Sequence, residues 1–258
     1  MRQRQQKIVE YVNKVGIASF DDLGILFDVS PFTIRRDVDY LDKAHLLIRI
    51  KGGAQKIESP AQFREAQIVK RIQINPKEKE LIADCAMQFI QPGDSIFLDG
   101  STTVNWLARN LVKLDPEITI VTNSLMISFE LAKAQNVRLI GLGGVFDPET
   151  YSFVGFEPDS QADSFHINKA FFSSTCLVPE EGTYENAAFN AQTKRFAAKR
   201  ADEVYLLVDS SKLGKKALNR VLRTSQINTL ITDKILSEKD ALAFEKNNVQ
   251  VVIADNHK

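Results

Sequence analysis

From Lys77 onward, apolar runs of strand length alternate with stretches of helical period, and this rhythm limits the fold more than any other feature of the chain. Residues 95–98, 118–122, 137–142, 169–174, 204–208, 229–232 and 249–253 read as strands. Between and before them, residues 77–90, 103–111, 125–134, 187–199 and 237–246 read as helices, the first with Leu81, Ile82, Cys85, Ala86 and Phe89 on its apolar side. Consecutive strands joined by helices run the same way, so the pattern predicts an α/β domain on a largely parallel sheet.

Residues 1–57 follow a different pattern. Ile8, Tyr11, Val12 and Val15 recur at the spacing of one helix face, and Gly16 ends that helix. Ser19 is placed to cap a short second helix, with Asp22 three residues on and Leu23, Leu26 and Phe27 as its apolar side. After the Asp28-Val29 turn, Ser30 caps a third helix and Pro31 takes its first position, where a missing N–H costs nothing. Ile34, Val38 and Leu41 face its core, while Phe32, Arg35, Arg36 and Asp39 lie on the opposite side. Residues 46–50 and 54–57 read as strands across Lys51-Gly52-Gly53, whose glycines permit positive φ. Three helices and a hairpin predict a winged helix-turn-helix over 1–57, a connector over 58–76 carrying Pro60 and Asn75-Pro76, and the α/β domain over 77–258.

The 33 basic and 33 acidic residues of the chain cancel, so charge is informative only by segment. Residues 1–57 carry ten Lys and Arg against seven Asp and Glu, a basic excess of three. Arg35 and Arg36 ride on the helix that would enter a major groove, where arginine binds guanine bidentately or grips phosphate. Arg49, Lys51, Gly52 and Gly53 belong to the hairpin that would meet the backbone or minor groove, while Ser30, Pro31, Phe32 and Thr33 open the reading helix, where free N–H groups attract phosphate. The competing reading is a solvated helix face, its arginines paired with Asp37 and Asp39. That reading leaves the cap, the short preceding helix and the glycine hairpin as coincidences.

In the larger domain, Asp99-Gly100-Ser101-Thr102-Thr103 follows a strand and opens a helix, an arrangement that leaves backbone N–H groups free to surround an anion such as phosphate. Thr122-Asn123-Ser124 repeats it after the next strand, and Gly143-Gly144 after the one that follows lets a ligand approach the main chain. Ligands of open α/β sheets sit outside the carboxyl ends of the strands, where all three segments fall. Each alone is ordinary turn chemistry; three at equivalent places point to a pocket. Lys194 and Lys212 are candidate cations for the same anion.

VSPFTIRRDVDYLDKAHLLIRIKGGA, residues 29–54, resembles the N-terminal signature of DeoR-type bacterial transcriptional regulators. His45 stands where that pattern has a glycine after the recognition helix, asking a non-glycine to end the helix and shift the wing; Lys51 replaces a histidine before the paired glycines and adds positive charge. DGSTT, VTNS, the paired glycines, Thr193-Lys194-Arg195 and VDSSKLG stand in the order of that family's sensor domain, so the resemblance spans nearly the whole chain. It implies a sensor similar to ribose-5-phosphate isomerase folds that binds a phosphorylated sugar or a derivative and thereby weakens operator binding. It also adds Asp209 to the pocket. Two positions depart from it: Asn190 replaces a common glutamate four residues before the lysine, and Ser173-Ser174-Thr175 replaces a segment that usually contains glycine. Both bear on which effector is bound and on whether it is phosphorylated.

The rival class is a sugar-phosphate isomerase with an attached DNA-binding domain. Proton abstraction beside a carbonyl needs a placed carboxylate base, and the isomerases carry an acidic run where this chain has Ser173-Ser174-Thr175-Cys176. His45, His166 and His257 lack metal-ligand spacing, no P-loop or Gly-x-Ser-x-Gly is present, and Cys176 has no assignable base, so it reads as a buried small residue. Cys85 and Cys176 form no Cys-x-x-Cys pair and no apolar run suits a bilayer, so the expectation is a soluble cytoplasmic protein of a reducing compartment. The resulting expectation is a repressor of carbohydrate genes without cofactor or metal, acting as a dimer or tetramer on double-stranded operator DNA.

Overall fold

A computed structural model of the chain describes residues 3–57, 68, 70–155 and 166–255. It divides into two compact units, Met1–Lys70 and Arg71–Lys258. Most of the expected connector over 58–76 lies outside the described residues, as does His257. Among the described residues no helix is long and apolar enough to cross a membrane.

In the first unit α1 (Gln3–Val15) stops at Gly16, whose φ of +86° suits glycine. β1 (Ile17–Ser19) leads into α2 (Phe20–Leu26), where the Ser19 hydroxyl accepts from the Asp22 N–H at 3.0 Å. α3 (Pro31–Lys43) follows, then β2 (Ile48–Ile50) and β3 (Gly53–Gln55). The sheet order is β1-β3-β2, all antiparallel, so the expected hairpin has a third strand. β1 escaped the sequence reading because three residues cannot establish a period. Gly53 is needed for this pairing rather than for a positive φ: a Cβ there would overlap the Ala18 carbonyl oxygen. Ile8, Val12, Leu23, Ile34, Val38 and Leu41 are fully buried together, whereas Val15 and Leu26, expected on the apolar faces of α1 and α2, are 46% and 50% exposed because each is the last residue of its helix, past the packed turns.

The non-glycine end of α3 is absorbed locally. His45 takes φ +57°, its N–H bonds the Asp42 carbonyl at 3.2 Å, and the Leu46 N–H bonds the Leu41 carbonyl at 2.9 Å. This is the paired closure that glycine normally makes, and β2 still registers Ile48 against Gln55.

The second unit is built from α4 (Pro76–Ala86), β4 (Ser95–Leu98), α5 (Thr102–Leu114), β5 (Ile118–Thr122), α6 (Leu125–Leu131) and β6 (Val137–Gly141). A hairpin, β7 (Val145–Asp147) and β8 (Ser152–Val154), precedes β9 (Ile167–Phe172). After it come β10 (Cys176–Val178), β11 (Gly182–Glu185), α7 (Ala188–Arg200), β12 (Ala201–Leu207), β13 (Asn219–Arg220), β14 (Thr229–Thr232), α8 (Glu238–Glu245) and β15 (Gln250–Ile253). Seven strands form a parallel sheet in the order β15-β14-β12-β9-β4-β5-β6. Strand side chains alternate between its faces: Phe97 and Phe172 pack in one core with Phe196 and Phe244, while Ile96, Leu98 and Phe171 join the other with Ile82 and Leu107.

Boundaries differ modestly from the expected ones. The helix expected over 77–90 ends at Ala86 and tightens into a 3-10 turn at Met87–Phe89, and the one expected over 125–134 closes at Leu131. The strand expected over 169–174 covers Ile167–Phe172, leaving Ser173 and Ser174 beyond its end. β4 and β9 are neighbours at the sheet's centre, and from them the chain order runs outward both ways. That is a topological switch point, where the main chain leaving two strands diverges and opens a crevice.

Candidate functional site

The polar face of α3 is exposed as its spacing predicts. The Ser30 hydroxyl accepts from the Thr33 N–H at 3.3 Å, Pro31 holds the first helical position, and Phe32, Arg35 and Arg36 all face solvent. Neighbouring acids are engaged elsewhere. Asp37 is buried, accepting from Arg4 Nε at 2.6 Å and Gln5 Nε2 at 3.0 Å, and Asp39 pairs with Arg49 at 3.0 Å. Among the described residues neither Arg35 nor Arg36 pairs with Asp37 or Asp39, the pairing that a merely solvated helix face would show. Arg35 from α3 and Arg49 from β2 instead converge on one ring, 5.5 Å and 5.9 Å from the centroid of Phe20. Lys51 and Gly52 form the exposed tip of the wing, with Gly52 at φ +84°.

At the switch point Asp99 follows β4 and is buried. Its Oδ1 accepts from the Ser101 N–H at 3.1 Å and its Oδ2 from the Ser173 N–H at 3.2 Å. Lys194 of α7, 8% exposed, places Nζ 3.0 Å from Asp99 Oδ2 and 2.7 Å from the Ser173 carbonyl, and it also binds Glu185 of β11. Burial opposes the Lys194 charge, but Glu185 and Asp99 outweigh it and hold the ammonium above its ordinary pKa. Burial likewise opposes the Glu185 charge, and Lys194 outweighs it, so that carboxyl lies below its usual value. Three acceptors occupy the three N–H donors of Lys194, so the lysine anchors a buried ion network and has no donor left over for an anion.

Gly100 admits the β7–β8 hairpin over this crevice: a Cβ there would overlap Ser152 Oγ. Ser101 caps α5 by accepting from the Val104 N–H at 3.2 Å, with Thr102 and Thr103 buried beneath it. Thr122 Oγ1 donates to the Leu98 carbonyl at 2.7 Å and accepts from the Ser124 N–H at 3.1 Å, locking the ends of β4 and β5 together. Asn123 Nδ2 donates to the Phe153 carbonyl at 2.8 Å, and Ser124 caps α6. These groups therefore brace the crevice and tie β8 across it. Gly143 and Gly144 are exposed past the edge strand β6, and nothing stands within 4 Å of a Cβ built at Gly143.

Asp209 follows β12 and is 1% exposed. Its Oδ1 accepts from Asn75 Nδ2 at 3.0 Å and from the Ser211 N–H at 3.1 Å; its buried Oδ2 has no hydrogen-bond partner among the described residues. Lys79 of α4 is only 4% exposed and donates to the Arg71 carbonyl at 2.6 Å. Its pKa is lowered to about 8 by burial and by Lys212, against the opposing pull of Asp209. Lys79, Asn75 and Glu185 were not anticipated as site residues: Lys79 has the sequence signature of any solvated helix lysine, and Glu185 sits on a four-residue strand. Cys176 lies buried at the start of β10, where burial raises its thiol pKa, the opposite of an activated nucleophile.

A winged helix with an arginine-bearing reading helix, joined in one chain to an α/β unit with a cluster of buried polar residues at its switch point, defines a DNA-binding regulator with a sensing domain. Residues 4–60 match the DeoR-like helix-turn-helix domain and residues 74–234 the DeoR C terminal sensor domain. The chain belongs to the DeoR family of transcriptional regulators. It is 34% identical over 252 residues to the HTH-type transcriptional regulator YulB of Bacillus subtilis, covering 96% of this chain and 95% of that one. To the lactose phosphotransferase system repressor of Streptococcus mutans it is 33% identical over 233 residues, covering 90% and 91%. Ribose 5 phosphate isomerase A of Neisseria gonorrhoeae superposes at a TM-score of 0.41 and 14% identity over 52% of each chain.

Proposed function

We propose that this regulator is an operator-binding repressor of carbohydrate genes, released by a phosphorylated sugar or a related metabolite that enters the crevice at the carboxyl ends of β4, β9 and β12. The observation that carries the ligand half is Asp209 Oδ2, a buried carboxylate oxygen with no donor among the described residues. A ligand hydroxyl supplies that donor, and unpartnered buried acceptors of this kind are rare. Lys79 and Lys212 bring positive charge to the same corner, which suits an anionic substituent on that ligand. The Asp99–Lys194–Glu185 network fixes the wall of this site, and the first turn of α5, capped by Ser101, lies beside it.

The DNA half rests on the exposed Arg35, Arg36 and Lys51, with Asp37 held by Arg4, and on Arg49, whose guanidinium a phosphate would share with Asp39. Two recognition helices, supplied by a homo-oligomer, suit a palindromic site. Release is linkage: an effector that prefers the weak-binding form lowers operator affinity by its own differential free energy, typically about 1–3 kcal/mol. A thermal-shift screen of pentose and hexose phosphates on the full chain tests the sensor. A stabilising compound whose effect is lost in Asp209→Asn supports the reading, and absence of any such compound removes it. Arg35→Ala with Arg36→Ala abolishes specific operator binding while leaving the unit folded, since both side chains are exposed.

A further inference from the structure

Phe32 is the anomaly of the reading helix. It is 72% exposed at the second position of α3, with its apolar ring in solvent between the Ser30 cap and the two arginines. Nothing in the first unit needs it there: the core is closed by Ile34, Val38 and Leu41 on the other side of the helix. A large aromatic group left in water costs solvation free energy that burial in a complex would recover.

The surroundings select what covers it. Phe32 and Arg36 are four residues apart and so lie one above the other on a single helical stripe. Arg36 makes no hydrogen bond or ion pair among the described residues, whereas Arg35 lies over the Phe20 ring beside Arg49. The two arginines are thereby sorted. Arg35 and Arg49 are gathered on one ring at the junction of helix and wing, Arg49 also pairing with Asp39, an arrangement suited to gripping a phosphate, which positions but carries no sequence information. The Phe32–Arg36 stripe, at the helix end that meets base edges in this class of domain, offers one apolar and one cationic group side by side. In a major groove the apolar feature of a base edge is the thymine C5-methyl, and the strong partner of an arginine is guanine.

We infer that Phe32 is a specificity-determining residue that packs on a thymine methyl group in each operator half-site, next to a guanine read by Arg36. This deepens the DNA-reading proposal and rests on it.

The test uses the full chain and a random duplex library. Bound duplexes are selected to a consensus, and each consensus thymine is then replaced singly by deoxyuridine, which removes the methyl and nothing else. Binding is measured by fluorescence anisotropy for the wild type and for Phe32→Ala, which keeps its fold because the ring is exposed. At one thymine per half-site, loss of the methyl weakens wild-type binding about fourfold, the equivalent of about 0.8 kcal/mol for one buried methyl-sized group. Phe32→Ala binds the thymine and uracil duplexes equally, and Phe32→Leu retains part of the difference. A methyl penalty that persists unchanged in Phe32→Ala, or no thymine whose methyl matters, overturns the contact alone. Selection that enriches no sequence overturns the DNA-reading proposal and this contact with it.

Discussion

Lys194 Nζ stands 3.0 Å from Asp99 Oδ2, and through that pair α7 is tied to the end of the central strand β4. The same ammonium holds the Ser173 carbonyl at the end of β9 and Glu185 on β11. One buried cation thus closes four elements around the switch point. Two carboxylates against one ammonium leave the cluster with an excess negative charge, so its cohesion depends on the lysine staying protonated and in place.

Lys194→Met removes the cation but keeps the volume, leaving two buried carboxylates facing each other. Loss of one partner from a buried ion pair typically costs about 3–5 kcal/mol, and denaturant unfolding at neutral pH should register a loss of that order in the second unit. The pH dependence gives the sharper readout. In the wild type the depressed Glu185 pKa contributes stability that is present above its unfolded value near 4.5 and is lost as pH falls below it. In Lys194→Met, burial without a counter-charge raises that pKa, so stability is recovered as pH is lowered toward 4.5. Acid titration of the two proteins should therefore move in opposite directions, and parallel curves would mean that Lys194 does not hold Glu185 in its charged form.

Gly100→Ala tests the closure of the crevice. The added methyl overlaps Ser152 Oγ, so either that hydroxyl turns away and gives up its bond to the Thr150 carbonyl or the β7–β8 hairpin shifts. Overpacking of this kind costs about 1–3 kcal/mol. Because the clash is with a single hydroxyl, Gly100→Ala combined with Ser152→Ala should regain most of the lost stability, a non-additivity measurable in a double-mutant cycle of unfolding free energies. Equal losses in the single and double variants would mean that the hairpin does not sit on Gly100.

What the chain discloses in one dimension follows from how local each signal is. β4, β5 and β14 appear at their expected bounds because each is a short apolar run buried on both faces, and Ser19 with Asp22 three residues on, and Ser30 with Pro31 next to it, announce the starts of α2 and α3. β7, β8, β10, β11 and β13 were not expected, since two to four residues between turn-forming residues carry no period. The Asp99 and Thr122 segments were legible as crevice formers from their place after strands. That Lys194 has its donors taken was not, because its partners Asp99 and Glu185 come from separate elements and meet only through the strand order. The departure at Asn190 is one such case: a carboxylate for Lys194 comes from Glu185 on a neighbouring strand.

His45→Gly should be more stable than His45→Ala, two variants that lose the same imidazole and its contacts and differ only in how they tolerate the left-handed backbone. An L residue in the left-handed region carries roughly 1–2 kcal/mol of strain, and glycine's greater unfolded-state entropy returns about 0.5–1 kcal/mol of that. A net advantage of about 0.5–1 kcal/mol for glycine over alanine is expected, read as a higher unfolding midpoint with the wing intact. His45→Val, β-branched and unsuited to φ +57°, should be the least stable of the three. Equal midpoints in the glycine and alanine variants would show that the end of α3 does not limit this unit.

Lys79 offers a measurement that needs no ligand. Its ammonium is buried beside Lys212 and Arg71, with Asp209 and Glu78 pulling the other way, and the balance lowers its pKa from 10.5 to about 8. A lysine whose folded pKa lies below its unfolded value binds fewer protons in the native state between those two pH values, so stability rises with pH across that window. Below pH 8 the cost of burying the charge is fully present; by pH 10.5 it has been relieved. Lys79→Met keeps the aliphatic stem and removes the titration. The wild-type thermal midpoint, taken relative to that of Lys79→Met, should climb between pH 8 and pH 10, and the variant should be the more stable protein at pH 7. A difference that stays flat across the window, or one that falls, would mean that Lys79 is not held as a desolvated cation, and the positive corner proposed beside Asp209 would lose its principal member.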